Sequence, residues 1–170
     1  MKIAVVGMGL IGGSFCRAIK KKTKHICYGW NRSPAVLQAA LSEEAIDGVI
    51  TDLTELRNFD LVILGFHPEL TISFVKEHID CFPKNGLTID PCGVKESIVS
   101  VLQPLFDQAG APFIGTHPMA GREFSGFNYS LATLYDGASF IMTPPKKADP
   151  AHIELLRNFA REVGFTRIVE

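Results

Sequence analysis

No apolar run in this sequence exceeds about six residues, against the roughly 20 needed to cross a bilayer, so no membrane span is expected. No basic-then-apolar leader precedes the first strand-like residues, and a secretory signal is not expected either. Cysteine is sparse and unpaired in pattern. Cys16, Cys27, Cys81 and Cys92 lie far apart, without C-x-x-C spacing or a neighbouring histidine pair. They read as reduced thiols of a cytoplasmic protein, which excludes a disulfide framework and a zinc site. Neither sign of charge is in excess: 17 lysines and arginines face 18 aspartates and glutamates. Such a balance provides no broad field for nucleic acid or an anionic membrane, so any anion must be recognised by local groups. The 170 residues suffice for one domain with a proper core and are few for two.

The chain begins with its most informative stretch, Lys2-Ile-Ala-Val-Val-Gly7-Met-Gly9-Leu10-Ile11-Gly12-Gly-Ser14. An apolar run of strand length meets Gly-x-Gly-x-x-Gly and passes at once into a helical pattern, the order a dinucleotide site requires. Gly7 permits the tight turn, Gly9 lets the backbone approach a pyrophosphate, and Gly12 lets the helix close on the sheet. Leu10 and Ile11 open the helix whose free N–H groups and positive dipole end receive the anion. A buried first strand with a glycine-rich turn and no ligand would show the same letters.

What is missing about 20 residues further on selects the cofactor. An acid there would accept the ribose hydroxyls of NAD and repel a 2′-phosphate, but the sequence reads Trp30-Asn31-Arg32-Ser33. Asn31 can still bond a ribose hydroxyl, Arg32 can pair with a phosphate, and Ser33 can donate its hydroxyl. NADP is therefore expected ahead of NAD. Ser33-Pro34 also reads as an ordinary helix start, with serine as N-cap and proline in the first turn.

Beyond this point strand-like and helical runs alternate. Helix is expected over residues 10–21, 34–44 and 69–81, from Val94 through Phe106, and again after Asp149-Pro150. Strands are expected near residues 25–29, 47–51, 60–65, 86–90, 112–116, 138–143 and 165–169, with 127–137 irregular. Val94, Ile98, Val101, Leu102, Leu105 and Phe106 share one helical face, as do Leu70, Phe74, Val75 and Ile79 on an earlier helix. The pattern specifies an α/β Rossmann-type, doubly wound and mostly parallel sheet with helices on both faces. Ligands of such sheets lie outside the strands' carboxyl ends. That rule selects three loops: Gly65-Phe66-His67-Pro68, Asp90-Pro91-Cys92-Gly93-Val94-Lys95, and the segment from Thr116 to Gly126. His67 is either a base or a packing residue, and Asp90 with Lys95 either a functional pair or a cap with a solvated amine. The third segment concentrates chemistry: His117 can take a proton near neutral pH, and Arg122, Glu123 and Ser125 offer anion binding or hydrogen bonds.

Three stretches together resemble the prephenate and arogenate dehydrogenase family of tyrosine biosynthesis. They are Gly7 to Ser14, Asp90 to Lys95, and Gly115-Thr-His-Pro-Met119-Ala-Gly121-Arg-Glu-Phe-Ser125-Gly126. The resemblance implies an NAD(P)-dependent oxidative decarboxylation in which the histidine matching His117 hydrogen-bonds the ring hydroxyl and takes its proton. Cys92, Gly93, Lys95, Met119, Gly121 and Ser125 would line the substrate site. Many family members carry serine where this chain has Gly93, so Cys92, a water or Ser125 would have to replace its hydroxyl. The family also continues into a helical domain that forms the homodimer and supplies an arginine to the substrate. That domain is expected to be absent from a chain ending at Glu170, which would then bind nucleotide and turn over prephenate poorly. Another small NADP-dependent dehydrogenase, or a non-catalytic NADP-binding module, are the competing readings.

Overall fold

The computed structural model describes all 170 residues, Met1–Glu170. Eight strands form a single sheet: β1 (Lys2–Val6), β2 (Ile26–Trp30), β3 (Gly48–Val49), β4 (Leu61–Leu64), β5 (Leu87–Asp90), β6 (Phe113–Pro118), β7 (Ser139–Thr143) and β8 (Arg167–Val169). Their order is β3-β2-β1-β4-β5-β6-β7-β8. Every neighbouring pair is parallel except β6 and β7. Five helices pack on the sheet: α1 (Leu10–Lys22), α2 (Pro34–Ser42), α3 (Pro68–His78), α4 (Lys95–Ala109) and α5 (Pro150–Val163).

The apolar runs of β1 and β4 follow from coverage on both faces. Ile3, Val5, Leu61 and Ile63 point into one core, which also holds Phe15 and Ile19 of α1 and Leu156 and Phe159 of α5. Ala4, Val6, Val62 and Leu64 point into the other, beneath Phe74 and Val75 of α3 and Ile98, Leu102 and Phe106 of α4. The strand order reverses between β1 and β4, the crevice where a doubly wound sheet takes its ligand.

Several local expectations change. The strand expected to end at Thr116 continues through His117 and Pro118, because β7 turns back against it and pairs His117 with Ile141 and Pro118 with Phe140. His117 therefore sits on a strand rather than on a loop. Val94 does not join the buried face of α4: it precedes the helix and is 59% exposed. On α3 the buried set is Thr71, Phe74 and Val75, while Leu70 and Ile79 are only half-buried. Residues 53–58 form a 3-10 turn that was not foreseen, closed by a capping box between Asp52 and Glu55. The segment 127–137, expected to be irregular, contributes Phe127 and Tyr135 to the core. Tyr135 is fully buried against Phe15, with ring centroids 4.4 Å apart, and its hydroxyl donates to the Ile11 carbonyl at 2.7 Å.

That bond ties the first turn of α1 to a segment more than a hundred residues away. Tyr135→Phe should lower folding stability by about 1 kcal/mol, the net worth of a typical buried hydrogen bond, with the urea m-value unchanged.

Candidate active site

The glycine turn is built by backbone crowding. The Gly7 carbonyl oxygen would lie 2.0 Å from a Cβ on Gly12 and 2.2 Å from one on Gly65, so α1 and the end of β4 close on the same oxygen. Gly7 itself has φ +89, and a side chain there would strike the Phe66 ring at 2.5 Å. Gly9 differs: nothing lies within 4 Å of the position its Cβ would take. The one glycine of the motif facing open space is thus the one assigned to the approach of a pyrophosphate. Gly9 is also the N-cap of α1 and offers no side-chain cap, leaving the first-turn N–H groups for an anion.

Asn31 has a structural partner as well as a place beside the turn. The Met8 N–H donates to its Oδ1 at 3.0 Å, and the Gly7 N–H donates to the Trp30 carbonyl at 2.8 Å, so the end of β2 is fastened to the glycine loop. Arg32 and Ser33 are exposed. Ser33 occupies the N-cap position of α2, but its hydroxyl makes no capping bond. Both side chains are therefore uncommitted.

Across the crevice, Leu10 and Ile11, the run from Gly65 to Pro68, and Pro91 to Gly93 line a cleft of about 290 Å³. Two of the loops selected from the sequence meet the start of α1 there, and no residue of the Thr116-to-Gly126 segment is in the lining. Trp30, Phe66 and Phe74 brace its floor, with Trp30 and Phe74 centroids 5.3 Å apart and Phe66 and Phe74 5.2 Å apart. His67 is exposed and serves as the backbone N-cap of α3, where its carbonyl accepts Thr71 Oγ1 at 3.0 Å. Cys92 is committed as well: its thiol donates to the Phe66 carbonyl at 3.3 Å and lies 3.7 Å from Thr71 Oγ1. Burial, with the Asp90 charge adding to it, pushes that thiol up to about 11, so it stays protonated and holds two loops together.

His117 stands at the edge of this cleft. A Cβ on Gly93 would lie 3.2 Å from its Nε2, so the imidazole rests on the bare backbone of the β5–α4 loop. Burial and then the nearby Lys95 cation lower its proton affinity from the usual 6.5, leaving a neutral ring at physiological pH. Asp90 ends β5 with no exposure at all. Its Oδ2 accepts the Lys95 ammonium and, at 3.3 Å, the Cys92 N–H, while Oδ1 has no partner. Burial raises the carboxyl of Asp90 and lowers the ammonium of Lys95, each opposed by the attraction of the other. Thr116, which sequence reasoning overlooked as a site residue, donates its hydroxyl to the Asp90 carbonyl at 2.8 Å. Only the pairing of β5 with β6 reveals this contact, since the two residues are far apart in sequence.

Met119, Gly121 and Ser125 are exposed beyond the strand end, Met119 by 53%. Arg122 is engaged locally, donating to the Tyr129 carbonyl at 3.0 Å with its guanidinium 5.7 Å from the Phe124 ring centre. No group of histidine, cysteine and acidic side chains is arranged to hold a metal ion, and no helix is long and apolar enough to cross a membrane.

Comparison with known proteins agrees with this geometry. The family described as prephenate dehydrogenase, nucleotide-binding domain, matches residues 15–169. A prephenate dehydrogenase of Lactococcus lactis subsp. cremoris (strain MG1363) is 30% identical over 143 residues, covering 84% of this chain and 40% of its own length. Prephenate dehydrogenase from A. aeolicus, solved with hydroxyphenyl propionate and NAD+, superposes with a TM-score of 0.86 at 30% identity, over 100% of this chain and 59% of that one. Synechocystis arogenate dehydrogenase gives a TM-score of 0.90 at 26% identity over 100% of this chain and 59% of that one. The chain thus spans about half the length of these relatives.

The middle and last glycines of the turn should respond differently to alanine. Gly12→Ala, meeting backbone, should destabilise the fold by about 1–3 kcal/mol, whereas Gly9→Ala should stay within about 0.5 kcal/mol of the parent in urea unfolding.

Proposed function

We propose a function on one premise: the chain belongs to the prephenate dehydrogenase family, as a nucleotide-binding domain. It holds NADP or NAD for the oxidative decarboxylation of prephenate or arogenate, a step of tyrosine biosynthesis. The observation that carries this reading is the neutral His117 imidazole seated on Gly93, at the edge of a cleft that begins at the glycine turn.

Gly9, Leu10 and Ile11 at the first turn of α1 would hold the pyrophosphate, with the Gly65-to-Pro68 loop of the same cleft as its neighbour. A bound nicotinamide would supply the hydride acceptor for the carbinol carbon of the substrate. His117 accepts a hydrogen bond from the ring hydroxyl and takes its proton as that hydride leaves. The carboxylate on the ring departs as carbon dioxide, its bonding electrons completing the aromatic ring as a phenolate, which recovers the proton from His117. Aromatisation supplies much of the driving force, so the residues of this chain chiefly orient the reactants and receive one proton. Gly93 supplies no hydroxyl to the imidazole, and Cys92 is committed elsewhere, which leaves the substrate hydroxyl itself, a water or Ser125 as the partner of Nε2. Lys95, Met119, Gly121 and Ser125 complete the rim on the substrate side.

NADP is the preferred cofactor. The end of β2 carries no carboxylate, Arg32 is exposed without an ion pair, and the Ser33 hydroxyl makes no capping bond. A 2′-phosphate would meet both side chains at the N-terminus of α2. The whole enzyme works in the cytoplasm as a homodimer whose remaining part supplies further contacts to the substrate.

In the whole enzyme, His117→Asn should lower turnover of prephenate about 100-fold to 10,000-fold while nucleotide affinity is kept, as expected for loss of one general base. The rate in the parent should rise with pH through a midpoint below 6.5, since a lowered proton affinity keeps the base free to lower pH. Loss of nucleotide binding in parallel with turnover would assign His117 to structure instead. Arg32→Ala should raise the dissociation constant for NADP roughly 10-fold to 150-fold, the worth of a charge-assisted bond, and leave that for NAD nearly unchanged. An equal change for both cofactors in a fluorescence titration would refute the NADP assignment.

A further inference from the structure

The imidazole of His117 and the surface beneath it belong to different parts of the chain. The ring is carried by β6, whereas Gly93, whose Cβ would lie 3.2 Å from Nε2 and 3.5 Å from Cε1, belongs to the loop between β5 and α4. The seat exists only while these two elements keep their relative position. Strand pairing secures it from one side only. On the β7 side the ladder runs on through His117 with Ile141 to Pro118 with Phe140, but on the β5 side its last pair is Asp90 with Gly115, two residues before the histidine. Pro118 has no N–H with which to extend it.

Thr116 bridges that gap. Its hydroxyl donates to the Asp90 carbonyl at 2.8 Å, and neither residue has any exposure. The same carbonyl accepts Nζ of Lys95, the first residue of α4, at 3.2 Å. One oxygen thus gathers the end of β5, the start of α4 and the strand that carries His117, and the Gly93 loop runs between the first two. Many carbonyls could satisfy a buried hydroxyl; this one begins the loop on which the imidazole rests. Successive side chains of a strand point to opposite faces, so Thr116 turns away from the imidazole and acts on it through the backbone. A second threonine provides a natural contrast: Thr143 Oγ1 of β7 donates to the Gly115 carbonyl at 3.0 Å, on the side where the ladder already holds the strand.

We propose that Thr116 is a positioning residue: its bond to the Asp90 carbonyl locks the strand bearing His117 against the loop bearing Gly93 and so keeps the imidazole in its seat. The consequence for turnover rests on the reading of His117 as the base. A reacting group misplaced by about 1 Å can cost on the order of 100-fold in rate, so a bond that fixes two elements against each other has leverage on catalysis without touching the substrate.

NMR of this chain reads the seat directly, through the nuclear Overhauser contact between the ring proton on Cε1 of His117 and the α-protons of Gly93. The ring is assigned by the resonance lost in His117→Asn. The contact should be present in the parent, in Thr116→Ser, which keeps the hydroxyl, and in Thr143→Ala. It should be lost in Thr116→Ala and in Thr116→Val. Alanine leaves a small void and valine sets a methyl against the carbonyl, so an effect shared by both belongs to the missing hydroxyl. In the whole enzyme, Thr116→Ala should lower kcat for prephenate about 10-fold to 100-fold, with KM and the dissociation constant for NADP unchanged and the rate recovered in Thr116→Ser. A contact retained in either hydroxyl-free variant, with cooperative unfolding kept, overturns the proposal. So does its loss in Thr116→Ser or in Thr143→Ala, which would make side-chain volume or a general loosening of β6 responsible. If the contact is lost in Thr116→Ala while kcat stays at the parent value, the positioning role stands and His117 is not the base.

Discussion

The position of one carbonyl oxygen, that of Gly7, governs the geometry of the whole site. Gly12 and Gly65 approach it so closely that a Cβ on either would overlap it, at 2.0 and 2.2 Å. This double approach brings the first turn of α1 against the sheet and draws the end of β4 in beside it. A dinucleotide cleft needs both, because the helix N-terminus must meet the pyrophosphate while the next loop closes around the same ligand. The outer supports answer to the same constraint. Asn31 takes up the Met8 N–H that the tight turn leaves free, and the Tyr135 hydroxyl braces the Ile11 carbonyl from the opposite side. Glycine is required at Gly12 and Gly65 for lack of volume, and at Gly7 for its backbone angle as well.

Most of the frame was legible in the sequence because two simple signals agreed. Residues 3–6 and 61–64 are apolar without interruption, which only a doubly covered strand permits, and turn glycines or cap residues separate such runs from helical patterns. The meeting of the 65–68 and 91–93 loops with the glycine turn followed from the rule on carboxyl ends. What escaped depended on contacts between distant residues. Nothing in the letters Thr-His-Pro says that β6 continues to Pro118, since that extension exists only because β7 runs antiparallel beside it. Tyr135 lies in a segment expected to be irregular, yet its ring fills the space between Phe15 and Phe165. The commitments of Cys92 and Thr116 were hidden for the same reason, each partner lying 21 to 26 residues away. The capping box of Asp52 and Glu55 was a local signal and could have been read.

Placing His117 on a strand changes how the site works. A base on a free loop must be ordered whenever substrate binds, at a cost in conformational entropy. Here the backbone of His117 is held by β7 on one side, and Thr116 is hydrogen-bonded to the end of β5 on the other. The ring then has the flat surface of Gly93 beneath it. A side chain at that position would restrain the imidazole directly, whereas glycine leaves its Nε2 open to whatever enters the cleft. Rigidity thus comes from the backbone and access from the missing side chain. The segment beyond Pro118 has the opposite character: Met119 and Phe124 are more than half exposed, and Arg122 braces only its own loop. His117 is fixed to the sheet, and the segment that follows it is exposed.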